Sequence, residues 1–321
     1  YHWEQPSALA DLGGWRNRDI ADWFADFATV IMGRIGDRVH TAATINEPWC
    51  VAWLSHFMGA HAPGVRDIRA ATRAMHHVGL AHGRALQAMR ALGMTNLGCV
   101  TNHEYVLPAD DTPESAAAAQ LYDGLYNRWF LGGMRNAEYP ADVLELLGQH
   151  MPQGWQDDMG VISEPADWLG INYYTRKLIS PGPSGLPGDF AETVADLPQT
   201  SMGWEVYPEG LHHFLTWIAE TYAHGLPIYV TENGMSADAP PDGPADDPER
   251  IDYLDRHLAQ VRRAIADGVD VRGYFIWSLL DNYEWALGYD KRFGLVHVDF
   301  DTLARTPKAS YYALQSALTK R

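Results

Sequence analysis

Short runs of β-branched and aromatic residues alternate along the chain with longer stretches in which apolar positions recur every three or four residues. The short runs are almost continuously apolar, as strands covered on both faces should be. Five are legible, at residues 39–46, 97–101, 167–173, 227–232 and 272–277. Helices are predicted over about 17–36 and 67–93. Residues 113–131 open on Thr112-Pro113-Glu114, a cap, a first-turn proline and an early acid. Residues 208–224 and 247–267 follow the same pattern, the second opening on Asp247-Pro248-Glu249. Residues 181–200 and 236–247, rich in Gly, Pro, Asp and Ala, read as surface loops after the third and fourth strands.

Repeated strand–helix alternation predicts the α/β class with a parallel sheet and right-handed crossovers. A closed barrel places the C-terminal ends of its strands at one mouth. A doubly wound open sheet is the alternative, but it calls for a glycine-rich phosphate turn after the first strand, and none is present. No linker or compositional shift divides the 321 residues, so they read as one domain, 1–321.

The polar residues add the chemistry. The first legible strand ends in Asn46-Glu47-Pro48, the second in Asn102-His103-Glu104, and the third in Asn172-Tyr173-Tyr174. The fourth ends in Glu232-Asn233-Gly234, and the fifth in Trp277-Ser278 before Asp281-Asn282-Tyr283-Glu284-Trp285. Carboxylates, amides and rings delivered to one mouth suit work on an acetal, with one carboxyl as acid/base and the other as nucleophile. Pro48 and Trp49 beside Glu47 predict desolvation and a raised pKa there. Glu232 is expected to be held ionised by hydrogen bonds, for instance from Tyr174. The 12 tryptophans offer flat apolar faces for pyranose C–H groups.

Charge and cysteines narrow the classes. Lys and Arg number 24 against 41 Asp and Glu, a net charge of −17 that repels nucleic-acid phosphates and anionic lipid and suits a neutral substrate. No apolar run approaches the roughly 18 residues of a membrane span. Cys50 and Cys99 read as two core thiols, which fits a reducing, cytoplasmic compartment. His76, His77 and His82, and His212 with His213, stand at spacings unlike zinc sites, so no metal is expected.

These residues together resemble the family 1 glycoside hydrolases, retaining β-glycosidases on a (β/α)8 TIM barrel, over essentially the whole chain. Thr44-Ile45-Asn46-Glu47-Pro48 is similar to that family's acid/base motif, and Val230-Thr231-Glu232-Asn233-Gly234 to its nucleophile motif. The resemblance implies that Glu47 protonates the leaving oxygen and later activates water, while Glu232 attacks the anomeric carbon. It implies that Asn46 bonds the sugar 2-hydroxyl and that Tyr174 orients Glu232. It further implies sugar contacts from His2, Trp3, Asn172, Trp277, Glu284, Trp285 and Phe293, with Trp204 at the leaving-group entrance. An acid at Glu284 would repel phosphate, so the expected substrate is an unphosphorylated β-glucoside or cello-oligosaccharide, with β-galactosides and β-fucosides as side substrates. No cofactor is implied.

The family's glycine-rich first strand, its sugar-binding Gln and its second-strand Arg have no counterpart here. The expectation is a barrel without its first two strands and most of the third, the tail of which ends at Trp3. A segment attached or supplied in trans would complete it, or oligomerisation would close its edges. The alternative function is a catalytically impaired carbohydrate-binding fragment that needs such a partner.

Overall fold

The computed structural model describes residues 1–183, 187–238 and 246–319. Among these, five parallel strands form the main sheet: β1 (Ala42–Asn46), β2 (Leu97–Pro108), β3 (Trp168–Pro181), β5 (Ile228–Asn233) and β7 (Val271–Ile276), in the order β1-β2-β3-β5-β7. Two short strands differ from the loops the composition predicts. β4 (Phe190–Thr193) pairs antiparallel with the end of β3, and β6 (Ala237–Asp238) pairs with β8 (Lys291–Arg292). Phe190 is fully buried, and that one anchor outweighs the loop-like neighbourhood of β4. The remainder of the second predicted loop, from 239 to 245, lies outside the described residues, as do 184–186 of the first.

The helices follow the strands as a parallel barrel requires. α1 (Ile20–Ile35) buries Ile20, Ala21, Phe24 and Ala28 along one stripe. α2 (Ile68–Ala91) is buried on most of its circumference and packs on α1, which its many alanines permit. Asp67 caps it by accepting from the Ala70 N–H at 2.6 Å. α3 (Pro113–Asp123) is capped by Thr112, as its opening residues predict, and continues through wide turns at Gly124–Arg128 and Gly132–Asn136. α4 (Glu209–Ile218) precedes β5, and α5 (Pro248–Ala266) precedes β7. Asp247 makes no capping bond to α5. Its carboxylate pairs instead with Arg250 and accepts from Ser310, fastening α6 (Ala309–Thr319).

At one edge, Tyr1 runs beside β1. Its N–H donates to Thr44 and its carbonyl accepts from Asn46, the ladder of a parallel neighbour. At the other edge, β7 leaves Phe275 57% exposed. The core runs between the sheet and its helices, from Ile45 and Trp53 through Leu86 and Tyr173 to Phe214. The five buried histidines of α2, β2 and α5 belong to this core: His76 bonds Tyr139 and Asp158, His77 the Trp15 carbonyl, and His82 Thr44. Among the described residues no cluster could hold a metal ion, and no helix is long and apolar enough to cross a membrane.

Candidate active site

Every ladder of the main sheet breaks register. β1 and β2 slip between Ala43 and Asn46, β2 and β3 between His103 and Glu104, β3 and β5 between Ile171 and Asn172, and β5 and β7 between Val230 and Asn233. Such bulges re-aim side chains. Tyr174 is the extra residue of the second slip. Alternation along β3 then sends Tyr173 back under α4, where it bonds the Tyr207 carbonyl, and keeps Asn172 and Tyr174 on the mouth side. Glu47 leaves β1 with a φ of +50°, a left-handed conformation that is costly for a side-chain-bearing residue and concentrates at functional sites.

The side chains form one connected chain of bonds. Thr231 donates to Asn172 Oδ1 at 2.7 Å, which leaves the Asn172 amide nitrogen pointing the other way. That nitrogen donates to Glu47 Oε1 at 2.9 Å and to Asn46 Oδ1 at 3.1 Å. Asn46 in turn donates to His2 Nε2 at 2.9 Å. Burial lowers the His2 pKa to about 4, so the ring is neutral and can accept. Tyr174 donates to Glu232 Oε2 at 2.8 Å. Cys50 donates its thiol hydrogen to Glu47 Oε2 at 3.3 Å. The Asn172 amide thus ties Glu47 to Thr231, the residue before Glu232, and both carboxyls face one cavity.

Burial pushes the Glu47 carboxyl up, against the donors Asn172 and Cys50. Burial also pushes Glu232 well above the usual carboxylate range, and the Glu47 charge adds to it; Tyr174 and Asn172 pull the other way and are outweighed. The expected rise at Glu47 is therefore present. At Glu232 the hydrogen bonds lower the pKa but do not outweigh burial, and no cation among the described residues adds to them. A charge on Glu47 therefore disfavours a second charge on Glu232.

A cavity of about 480 Å³ opens above this pair. Ten of the twelve residues singled out in the sequence line it: His2, Trp3, Glu47, Tyr174, Trp204, Glu232, Trp277, Glu284, Trp285 and Phe293. Asn46 and Asn172 stand next to this lining and bond His2 and Glu47. Trp3 and Trp285 meet at a centroid distance of 4.1 Å, with His2 against both. Glu284 Oε2 and Trp3 Nε1 are buried without a partner among the described residues, and both residues line the cavity. Buried polar atoms of this kind demand hydrogen bonds, and ligand hydroxyls can provide them. Asp281 fastens the loop that carries Glu284 and Trp285, accepting from Lys308, Gly294 and Val298. Gly234 is needed for close approach rather than for a turn: a Cβ there would lie 1.8 Å from the Trp277 carbonyl oxygen.

The sequence reading missed a further part of the wall. Cys50, Asn102, Glu104, Tyr122, Tyr126, Lys177 and Glu192 also line the cavity. The polar end of β2 pointed to Asn102 and Glu104. Nothing local marked Lys177 or Glu192, which lie on the extended parts of β3 and β4.

The profile of glycosyl hydrolase family 1 matches residues 1–321. Beta-glucosidase A of Thermotoga maritima is 43% identical over 316 residues, covering 97% of this chain and 70% of that protein. A beta-glucosidase of an Agrobacterium species is 43% identical over 333 residues, covering 100% of this chain and 71% of its own length. Among solved structures, the family 1 β-glucosidase from Thermotoga maritima superposes with a TM-score of 0.94 at 42% identity, over 99% of this chain and 72% of that one. The same enzyme in complex with deoxynojirimycin matches equally well.

Proposed function

The chain belongs to glycosyl hydrolase family 1, and from that premise we propose that it is a retaining β-glucosidase with Glu232 as nucleophile and Glu47 as acid/base. The observation that carries this reading is that both carboxyls face one cavity, with Asn172 bonded to Glu47 and to Thr231, the residue before Glu232. Retaining enzymes hold their carboxyls about 5–5.5 Å apart, inverting ones about 6.5–9.5 Å.

The pair's protons have unequal places to rest. Tyr174 donates to Glu232 and favours its ionised form. Asn172 occupies Glu47 Oε1 with an N–H, while Oε2 meets only the weaker thiol donor of Cys50 and is the easier oxygen to protonate. Glu232 attacks the anomeric carbon while the bond to the leaving oxygen breaks and Glu47 transfers its proton to that oxygen. Water then enters, Glu47 takes a proton from it, and the oxygen attacks the anomeric carbon to release Glu232. Asn46 and Asn172 orient the site, and Asn46 presents its amide to the 2-hydroxyl. His2, Trp3, Trp277, Glu284, Trp285 and Phe293 hold the sugar, while Trp204 stands at the leaving-group side. The Glu284 carboxylate disfavours a phosphorylated sugar. The scheme needs no metal or organic cofactor.

Residues 1–321 act in this scheme as one catalytic barrel unit, on β-glucosides and cello-oligosaccharides, with β-galactosides and β-fucosides turned over more slowly. Two free buried thiols support a cytoplasmic setting. The exposed Phe275 and the edge of β7, unpaired among the described residues, favour a second reading, a carbohydrate-binding unit that needs a further segment, attached or in trans, or a second copy, to cover its edges.

Replacing Glu232 by glycine tests the assignment. Turnover of an aryl β-glucoside is expected to vanish, and added azide to yield the α-glucosyl azide. Undiminished turnover in that variant would exclude Glu232 as nucleophile.

A further inference from the structure

A second cavity, of about 220 Å³, opens where α2 begins, and none of the residues that line it lines the catalytic cavity. Its wall is made by Arg16, Val65, Asp67, Arg69, Ala70 and Arg73. Arg16 comes from the turn Gly14–Arg16, while Arg69 and Arg73 stand one turn apart on α2. Arg16 and Arg69 are exposed and Arg73 is half-buried. Acids outnumber bases 41 to 24 in this chain, yet none of the three arginines forms an ion pair among the described residues. Arg73 Nε is buried with no acceptor among the described residues.

Three guanidiniums around one space repel each other, and a buried N–H of a charged group without an acceptor is costly. Stability alone would place acids among them, and this chain has acids to spare. The one carboxylate in the wall, Asp67, is already engaged: it accepts from the Ala70 N–H at 2.6 Å and caps α2. Counted against the three arginines, it leaves an excess of two positive charges. The N–H groups of Ile68 and Arg69 also open α2 without an acceptor among the described residues. The cavity is held in shape by the backbone, since Val65 donates to the Ser55 carbonyl at 3.0 Å and Asp67 to the His56 carbonyl at 3.0 Å. Guanidinium forks bond the oxygens of a phosphate in pairs, so a dianionic phosphate group matches both the charge and the donors.

We infer that Arg16, Arg69 and Arg73 form a binding site for a phosphate group, separate from the catalytic cavity. The occupant is free inorganic phosphate or a phosphomonoester small enough for the cavity. The inference does not depend on the β-glucosidase reading.

Calorimetric titration of the full chain tests it, with inorganic phosphate and with glucose 6-phosphate as separate probes at fixed pH and ionic strength. Phosphate is expected to bind saturably, one per chain, and its Kd to rise about tenfold or more in Arg69→Gln and in Arg73→Gln, the worth of a hydrogen bond to a charged group. Tighter binding of glucose 6-phosphate than of phosphate supports the site with a phosphomonoester as occupant, and the reverse order supports it with free phosphate. Asp67→Asn gives a gain that a misfolded variant could not mimic: asparagine keeps the cap and removes the one negative charge, so phosphate should bind severalfold more tightly. No saturable binding to the wild-type chain, or one Kd shared by the wild type and all three variants, overturns the inference. Phosphate that competes with an aryl β-glucoside, with a Kd that the arginine variants leave unchanged, places the anion in the catalytic cavity and overturns it as well.

Discussion

Asn172 donates to Glu47 across 125 residues of sequence, Nδ2 to Oε1, at 2.9 Å. Its own carbonyl is held by Thr231, the residue before Glu232, so one amide on β3 ties the end of β1 to the end of β5. The distance between the two carboxyls is thus set by the spacing of parallel strands and not by either motif alone.

Removing the Tyr174 hydroxyl, as Tyr174→Phe, should lower kcat/KM for aryl glucosides about 10–100-fold, because a hydrogen bond to a charged group is worth about 1.5–3 kcal/mol. The hydroxyl donates to ionised Glu232 and lowers its pKa. Without it the pKa rises, and because Glu232 attacks only when ionised, the acid limb of the pH–rate profile moves to higher pH. Kinetics across pH would check both, and an acid limb that moves down would contradict the assignment.

Glu47→Ala should cost about 10²–10⁴-fold in kcat for cellobiose, the usual worth of a general acid. A dinitrophenyl glucoside, whose leaving group needs no proton, should lose far less in its first step. With azide the product should be the β-azide, opposite in configuration to the product of the Glu232→Gly variant. Equal losses for both substrates would argue against Glu47 as the acid.

Cys50→Val tests the thiol beside the acid. The thiol favours ionised Glu47 and so lowers its pKa. Glu47 acts as an acid only while protonated, so activity declines as pH rises through that pKa. Valine removes the donor and raises the pKa, and the basic limb should move to higher pH. A basic limb that stays put would mean that the 3.3 Å contact contributes nothing to the acid.

Gly234→Ala should destabilise the protein by about 1–3 kcal/mol, as overpacking does, and lower the Tm by several degrees. The added Cβ must displace the Trp277 carbonyl, so KM for aryl glucosides should rise as well. Calorimetry with steady-state kinetics measures both, and an unchanged Tm would show that the backbone yields without cost.

Much of this was legible in the residues. β1, β5 and β7 fall within a few residues of their apolar runs, because strands buried on both faces write their extent directly into composition. β2 and β3 run on to Pro108 and Pro181, well past the predicted ends at 101 and 173. Beyond the mouth they are only half-buried, covered by α3 and by β4, so their continuous apolar signature stops before the strands do. Asp247 carried the look of a helix cap, yet its partners Arg250 and Ser310 include one 63 residues away, which no local pattern announces.

By itself, the order of residues along the chain determined the strand–helix alternation, the polar strand ends and the identity of the paired carboxyls, because backbone propensity, periodicity and side-chain chemistry are local properties. Only the tertiary structure decided how far apart Glu47 and Glu232 stand, which way their protonation is biased, and that Glu104 and Lys177 share their cavity. Those depend on strand register, desolvation and the field of neighbouring charges, all of which act between residues that meet only when the sheet curls.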